Sequence, residues 1–206
     1  MKKILVLSLS VLALVANLTS CKKGENDPML SLHTRKARVV GVWTLTKSES
    51  TDVNTNSSGT TTNTYSYDGT TETGTQTSTN NGGTSVTTPT IPQIYTLTIE
   101  FKKDRTYLET YSLPDGSKYT ANGDWNFVGK NKSLKLKNKE AICLLEKSNS
   151  NSSNGTTQTT NYTGLSGSIL VIDQLKNKEM IIIDESTSTS NGSTSSYSSK
   201  MTLTNK

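Results

Sequence analysis

The chain has 206 residues, of which 31% are hydrophobic, 6% aromatic and 19% charged. Because Ser, Thr, Asn and Gly are crowded into three tracts, the apolar residues suffice for one domain with a modest core and not for a second. The 22 lysines and arginines exceed the 17 acidic residues by five but are scattered among polar residues. The sequence therefore shows no run of basic residues interleaved with stacking aromatics, the pattern expected for nucleic-acid binding.

The first twenty residues have the layout of a signal peptide. Met1-Lys2-Lys3 is basic, and residues 4–16 form an apolar run too short for a bilayer core of about 30 Å. Leu18-Thr19-Ser20-Cys21 follows and resembles the lipobox of bacterial lipoproteins. The resemblance implies that residues 1–20 are removed and that Cys21 carries diacylglycerol and an amine-linked, palmitate-type chain. The alternatives are an ordinary secretory leader with Cys21 as an incidental thiol, or an uncleaved membrane helix.

The residues after the cysteine bear on where the protein resides. Several acyl chains hold a protein firmly, since each buried CH₂ contributes about 0.8 kcal/mol. In Gram-negative lipoproteins an aspartate directly after the cysteine favours inner-membrane retention, and this chain has Lys22 there. The resemblance therefore implies a lipid-anchored protein of the outer membrane. Lys22, Lys23, Glu25 and Asp27 also resemble the charged tags that send some lipoproteins to the cell surface; a merely solvated tether is the alternative.

Residues 21–38 are predicted to be the lipidated tether. Asp27-Pro28 offers an N-cap followed by proline at the first helical position, so residues 29–33 could form a short helical plug; a disordered spacer is the alternative. Without the two leader lysines the mature chain has 20 basic and 17 acidic residues, a formal charge of +3. With Cys21 lipidated, Cys143 has no disulfide partner and is predicted to be a small buried apolar residue.

Residues 39–206 are predicted to form the folded domain. Val39 to Lys47 alternates and is rich in β-branched residues, which predicts a strand. Residues 48–92 are almost free of apolar side chains, and such a composition predicts disorder because it cannot offset chain entropy by burial. Threonine is a good strand former, however, so Thr60 to Tyr67 could extend a sheet as a polar ribbon. We expect some of each in this low-complexity insertion.

The densest strand signals follow the insertion, at residues 94–102, 106–113, 117–128, 133–137 and 141–147. Short turns such as Pro114-Asp115-Gly116 join them, which predicts an antiparallel meander. Period-two alternation defines two apolar faces, one with Tyr95, Leu97, Ile99 and Phe101 and the other with Tyr119, Ala121, Gly123, Trp125 and Phe127. No helix of core-forming length is expected in the mature chain.

The last third of the chain predicts hairpins with apolar bases and polar tips. A two-residue turn at Asn191-Gly192 opposes Ser190 to Ser193, and this register pairs Met180 with Leu203 and Ile182 with Met201. A similar turn at Asn154-Gly155 would pair Leu144 with Leu165. Residues 168–173 and 180–183 form a further predicted hairpin.

Three short motifs connect this pattern with a known family. Gly41-Val42-Trp43 lies in the first strand, Gly123-Asp124-Trp125 repeats it, and Phe101 to Tyr107 is similar to a Phe-x-x-Asp-Gly-Thr-Tyr hairpin. With the meander, they make residues 39–204 resemble the lipocalin-like lipoproteins of Gram-negative bacteria.

The resemblance implies an all-β, antiparallel up-and-down barrel in which Trp43 closes the narrow end and Gly41 allows close approach. Gly123 and Trp125 are assigned the same structural role, while the family's basic residue against the tryptophan cannot be placed. The alternative, that both tryptophans are plain core aromatics, does not conflict with this role. Arg105 stands where the family hairpin has glycine, so this turn must be different or strained.

One strand supplies the candidate site. If Phe101 and Tyr107 face inward, alternation carries Glu109 and Tyr111 inward as well, and a carboxylate inside an apolar barrel needs a raised pKa or a polar partner. The alternative is that Glu109 lies at the barrel mouth, or that a one-residue slip sends it to solvent. The predicted cavity-lining set is Tyr95, Tyr107, Glu109, Tyr111 and Tyr119.

Enzymatic chemistry is not expected. His33 is the only histidine and precedes the first strand, which argues against a zinc or Ser-His-Asp site, and no cofactor motif occurs. We expect a monomeric envelope protein that binds a small or extended ligand, in the barrel or through its polar hairpin tips. The alternative is a structural or adhesive surface module. The expected partners are the membrane, through the lipid, and a small molecule, glycan or envelope protein, but no nucleic acid; a carboxylate-based hydrolase is a distant third.

Overall fold

A computed structural model describes residues 34–128, 136 and 140–205. The predicted leader, Cys21 and the helical plug at 29–33 lie outside these residues. The described part contains one short helix and twelve strands. They are α1 (Arg35–Val39), β1 (Gly41–Asn56), β2 (Gly59–Tyr67), β3 (Thr71–Asn80), β4 (Ser85–Pro89), β5 (Gln93–Ile94), β6 (Thr96–Phe101), β7 (Thr106–Ser112), β8 (Lys118–Val128), β9 (Glu140–Ser153), β10 (Thr156–Leu175), β11 (Glu179–Ser190) and β12 (Ser193–Asn205).

Eight of these strands close into an antiparallel barrel. Strands β6 to β12 pair in sequence order, β6 pairs with the start of β1, and β12 closes the circle against the other edge of β1. Trp43 lies opposite Ile99 on one side and Asn205 on the other. The predicted all-β, up-and-down barrel is therefore confirmed, and its topology is consistent with a lipocalin-like fold.

Strand β1 is longer than the barrel wall and carries a second sheet. Its residues 41–44 pair with β6, whereas residues 48–56 pair with β2, and β3 and β4 continue from there. On the other edge of β1, the half of β12 nearest the Asn191-Gly192 turn pairs with β1, and the corresponding half of β11 pairs with β12. We call this extension, made of residues 48–56, β2 to β4, 184–190 and 193–200, the polar sheet. At about 3.3 Å per residue its nine β1 residues span roughly 30 Å.

The ordered polar sheet corrects part of the composition-based prediction. Residues 48–92 were expected to be partly disordered, yet they supply three complete strands and most of β1. Cross-strand hydroxyl pairs line these strands, with Oγ1 atoms 2.9 Å apart for Thr64 and Thr75 and 2.9 Å apart for Thr77 and Thr87. Because β1 is anchored in the barrel, backbone ladders can propagate from it without an apolar core beneath them.

The core fills the end of the barrel at which β1 begins and β12 ends, here called the base end. Trp43 and Phe101 are completely buried, and Trp125 is 1% exposed. The Trp43 indole Nε1 donates to the Val39 carbonyl at 2.7 Å, and the Trp125 Nε1 donates to the Lys102 carbonyl at 3.1 Å. The rings of Phe101 and Trp125 pack edge to face with centroids 5.5 Å apart. Both predicted apolar faces thus point into the barrel.

Gly41 and Gly123, the glycines of the two Gly-x-Trp motifs, have close neighbours across the sheet. A Cβ on Gly123 would lie 1.9 Å from the Leu145 carbonyl oxygen, on the neighbouring strand. Gly41 has a φ of 143°, and a Cβ there would meet the Asn205 side chain. Glycine at position 123 therefore permits the close approach of β8 and β9, and glycine at position 41 suits the positive φ.

The first predicted strand starts later than expected. Residues 35–39 form α1, whose N-cap Thr34 accepts a hydrogen bond from the Ala37 N–H at 3.2 Å, and β1 begins at Gly41. Tertiary contacts explain the difference, because the Trp43 indole donates a hydrogen bond to the Val39 carbonyl and the Arg38 guanidinium donates one to the Leu175 carbonyl. They outweigh the strand preference of consecutive valines.

The two Asn-Gly hairpins have different outcomes. At Asn191-Gly192 the predicted register is confirmed, with Met180 opposite Leu203 and Ile182 opposite Met201. At Asn154-Gly155 the turn forms as predicted, but Leu144 lies opposite Ser168 instead of Leu165. The pairing is wrong because β10 has a bulge between Asn161 and Ser166, which shifts the lower half of the hairpin.

The β6–β7 turn is strained where the family motif has glycine. Arg105 has a φ of 73°, in the left-handed region that glycine occupies freely. Its carbonyl accepts a hydrogen bond from the Trp125 N–H at 2.7 Å, and its Nη1 donates to Asn126 Oδ1 at 2.6 Å. The turn therefore holds an arginine in a conformation that glycine adopts more readily, and the strain at Arg105 is one of the two outcomes expected from the sequence.

Candidate functional site

Strand β7 carries the predicted site residues into the barrel. Tyr107 is buried opposite Phe101, and Glu109 lies opposite Ile99 on one neighbouring strand and Ala121 on the other. Both neighbours of Glu109 are core residues, so the inward placement of Glu109 is correct and a register slip to solvent is excluded. The side chain is half-buried.

A second carboxylate shares the interior with Glu109. Glu146 of β9 lies opposite Gly123, on the face that also holds Leu144 and Ile142. Burial raises the pKa of Glu109, and the negative charge of Glu146 raises that pKa further. Asn149 donates through Nδ2 to Glu146 Oε1 at 3.0 Å and to the Tyr162 hydroxyl at 2.6 Å.

Two of the predicted tyrosines belong to the same interior. Burial is the largest cause that raises the pKa of both Tyr107 and Tyr119, and the charges of Glu146 and Glu109 add to it. We call Tyr107, Glu109, Tyr119, Glu146 and Asn149 the inner carboxylate group. The group thus places two carboxyl side chains beside two tyrosines on the inner face of the barrel.

The other two predicted tyrosines form a separate stack. Tyr95 lies between Tyr67 and Tyr111, with ring centroids 4.5 and 4.8 Å away. The Tyr67 hydroxyl donates to the Tyr95 carbonyl at 2.8 Å, and the Tyr95 hydroxyl donates to Glu72 Oε2 at 3.0 Å. Burial is the main reason why the pKa of Tyr95 is raised, and the Glu72 charge adds to it. This tyrosine stack stands where β1 leaves β6 for β2.

The five predicted residues are thus divided between two adjoining groups. Tyr107, Glu109 and Tyr119 belong to the inner carboxylate group, while Tyr95 and Tyr111 belong to the stack. Tyr111 and Tyr119 are directly opposite each other on β7 and β8 and join the two. That these five residues line a ligand cavity stays a prediction.

Sequence reasoning missed several members of these groups. Glu146 shares the alternation of Ile142 and Leu144 and could have been found from it. Asn149 could not, because the register changes between β8 and β9 just before it. Tyr67 and Glu72 lie in the low-complexity tract, where no apolar pattern indicates which side faces the barrel.

Three cavities lie away from the predicted residues. Two are grooves on the polar sheet, of about 330 and 570 Å³, which share Thr51, Glu185 and Ser198. The smaller groove also contacts Tyr197, whose side chain is 38% exposed. A third cavity of about 170 Å³ lies at the base end against Trp125 and Phe127.

Cys143 does not have the environment that its sequence context predicted. It is a free thiol and half-exposed, on the outer face of β9 between the buried Ile142 and Leu144. The prediction of a buried cysteine is wrong because strict alternation continues through residues 142–144 and leaves the middle residue outside.

Within residues 34–128, 136 and 140–205, no three His, Cys, Asp or Glu side chains come together as ligands for a metal ion. No helix in this same part of the chain is long and apolar enough to cross a bilayer. Comparison with known proteins adds no assignment, since no family model matches the chain and no curated protein sequence matches it.

Proposed function

We propose that this chain is a lipid-anchored protein of the bacterial outer membrane, related to the lipocalin-like lipoproteins, that binds a ligand inside its barrel without catalysing a reaction. The motif resemblance supports the anchor at Cys21, and the closed antiparallel barrel is compatible with a ligand-binding role. The inner carboxylate group indicates where the ligand would bind.

The observation that carries this proposal is that half-buried Glu109 of β7 and Glu146 of β9 both lie on the inner face, among tyrosines. A barrel used only as a scaffold would be filled by apolar side chains at these positions, since burying carboxylates without partners is unfavourable. Carboxylate oxygens accept hydrogen bonds from hydroxyl groups, and tyrosine rings offer flat faces to a sugar ring. A hydroxyl-rich ligand such as a saccharide therefore suits this chemistry best.

Saturation-transfer NMR of the full-length protein with a panel of mono- and disaccharides tests the binding site. We expect at least one saccharide to bind and its signal to fall about tenfold in Glu109→Gln and Glu146→Gln, since each removes a charge-assisted hydrogen bond. Glu185→Gln, an exposed carboxylate of the polar sheet, is the matched control and should bind normally. Binding that survives both inner substitutions, or no binding at all, would contradict the proposal.

The lipid anchor needs a separate measurement. Mass spectrometry of the membrane fraction should find Cys21 as the first residue, carrying its acyl chains. An intact leader with a free Cys21 thiol would contradict the anchor and leave the barrel site untouched.

A structural or adhesive surface module is the second candidate, and the polar sheet favours it. The sheet projects beyond the barrel with its strands paired throughout, and it carries two grooves. Extended glycans or protein segments could lie in these grooves. If the saccharide signal is lost in Tyr197→Ala and kept in Glu109→Gln, the binding surface is the polar sheet and this second function replaces the first.

A further inference from the structure

Basic and polar connections are segregated to opposite ends of the barrel. At the base end lie α1, the β6–β7 turn at residues 102–105 and the β10–β11 turn at residues 176–178. Together these three segments contain eight basic residues and one acidic residue, Asp104. The turns at the opposite end, residues 57–58, 81–84, 113–117, 154–155 and 191–192, contain no basic residue and one acidic residue, Asp115.

Six of the eight basic residues in these three segments face solvent, and we call these six the base patch. They are Lys36, Lys102, Lys103, Arg105, Lys176 and Lys178. The other two are engaged within the fold, since Arg35 pairs with Glu140 at 2.6 Å and Arg38 donates to the Leu175 carbonyl.

Neighbouring carboxylates neutralise only part of the base patch. Lys176 pairs with Glu179 at 3.0 Å, and Lys102 approaches Glu100 at 4.0 Å. The Asp104 carboxylate accepts a hydrogen bond from the Thr106 N–H within its own turn. The six cations of the base patch and these three carboxylates thus leave an excess of three positive charges among the described residues. Exposed pairs are weak, so a denser anionic surface can compete for these lysines.

Two of the six cations line a cleft. The base-end cavity of about 170 Å³ is bounded by Lys36 and Arg105, with Trp125, Asn126 and Phe127 forming the rest of its wall. The hydrogen bond from Arg105 Nη1 to Asn126 Oδ1 at 2.6 Å fixes the guanidinium beside the cleft. A guanidinium and an ammonium beside one small cavity suit a phosphate group.

The chain also enters the fold at this end. Thr34, the first described residue, immediately precedes α1, so the 33 residues before it in the sequence join the fold at the base end. If Cys21 is the lipidated residue, the twelve residues 22–33 reach at most about 40 Å. The base patch would therefore be held near the membrane to which the lipid is attached.

We propose that the base patch docks on the phosphate headgroups of an anionic phospholipid surface, with the Lys36–Arg105 cleft holding one phosphate. This orientation directs the polar sheet and its hairpin tips away from the membrane. The inference rests on the proposed function for the tether that brings the surface near, whereas the charge distribution is independent of lipidation.

Lysine footprinting of the full-length protein tests the proposal. The protein is bound to vesicles of phosphatidylcholine, with or without phosphatidylglycerol, and labelled with a membrane-impermeant amine reagent before mass spectrometry. We expect phosphatidylglycerol to slow labelling of Lys36, Lys102, Lys103, Lys176 and Lys178 about threefold or more, because anionic headgroups attract juxtamembrane cations. Lys47, Lys118 and Lys200, which are exposed away from the base end, should be labelled equally on both vesicles.

Salt and charge variants complete this test. The protection should disappear at 1 M salt, where the Debye length falls to about 3 Å. Replacement of Lys102, Lys103, Lys176 and Lys178 by Gln should abolish the phosphatidylglycerol-dependent protection of Lys36. The matched control replaces Lys47, Lys118, Lys147 and Lys200 by Gln, which changes the net charge equally and should keep the protection.

The possible outcomes separate this inference from the anchor. Equal labelling of base-patch lysines on both vesicles would overturn the docking surface, even if Cys21 is acylated. An unmodified Cys21 would overturn the anchor, while phosphatidylglycerol-dependent protection would still support the surface. If soluble heparin protects these lysines and vesicles do not, the partner is a polyanion other than lipid and the proposal is wrong.

Discussion

The base end and the polar sheet of one molecule are held together in different ways. At the base end, tryptophan, phenylalanine and aliphatic side chains fill the barrel and exclude water. In the polar sheet, threonine, serine and asparagine line long strands, and the order comes from backbone ladders and hydroxyl pairs. A β-sheet can thus extend well beyond its core when one strand, here β1, belongs to both regions.

The contrast between the two regions should be clearest for side-chain truncation. Trp43→Ala removes a completely buried indole and the hydrogen bond to Val39, so we expect the free energy of unfolding to fall by about 3–5 kcal/mol. Thr77→Ala, which removes one exposed hydroxyl pair in the polar sheet, should cost about 0.5 kcal/mol or less. Urea unfolding measures both, and equal losses would show that the two regions do not differ in this way.

A pair of glycine substitutions should give the next largest difference. The Cβ of Gly123→Ala would clash with the backbone carbonyl of Leu145, so we expect a loss of about 2–3 kcal/mol. Gly155→Ala at a hairpin tip meets no atom and has only an unfavourable φ of 75°, which should cost about 1 kcal/mol. Thermal unfolding of the two variants provides the comparison. A loss at Gly123 no greater than that at Gly155 would mean that the barrel strands can separate locally.

Arg105→Gly should stabilise the base end. Glycine adopts the φ of 73° without strain, which is worth about 1 kcal/mol, and the exposed hydrogen bond to Asn126 contributes less. Arg105→Ala is the control, because it loses the same hydrogen bond and keeps the strain. If glycine and alanine variants unfold at the same urea concentration, the turn is not strained in solution.

The smallest effect concerns Glu109 and depends on pH. Because the folded-state pKa of Glu109 is raised by burial and by Glu146, its stabilising contribution is complete below the unfolded value of about 4.3 and is lost as the pH rises through the folded value. Glu109→Gln should therefore be more stable than the unsubstituted protein at neutral pH, and the difference should vanish in acid. A pH-independent difference in the free energy of unfolding would contradict a raised pKa.

Much of the barrel could be predicted because local patterns agree with the fold. The alternation around Phe101 and Trp125 identified the inner face, and Asn191-Gly192 fixed a hairpin register that apolar pairing then supported. The predictions that failed concerned features that are set by contacts between residues far apart in the sequence or by irregular strand pairing. No sequence pattern marks the bulge after Asn161, because the tract around it is polar. Helix α1 forms because the Arg38 guanidinium donates to the distant Leu175 carbonyl and the Trp43 indole donates to the Val39 carbonyl.

The candidate site was partly predictable for the same reason. The inward position of Glu109 follows from the alternation that begins at Tyr107. The position of Asn149 depends on a register change between β8 and β9, and that of Glu72 could not be predicted because its tract has almost no apolar residues. Composition also misjudged residues 48–92, because it measures the burial available to a segment and ignores a ladder supplied by a neighbouring strand.

Amide hydrogen exchange followed by NMR tests the central claim, that the polar sheet is an ordered continuation of the barrel through β1. Strand β2 is paired on both edges, so its amides from Thr60 to Ser66 should be protected at levels approaching those of the barrel strands. If residues 59–80 instead exchange at the rate of an unstructured chain while Trp43 and Ile142 remain protected, the polar sheet does not exist in solution and the account is wrong.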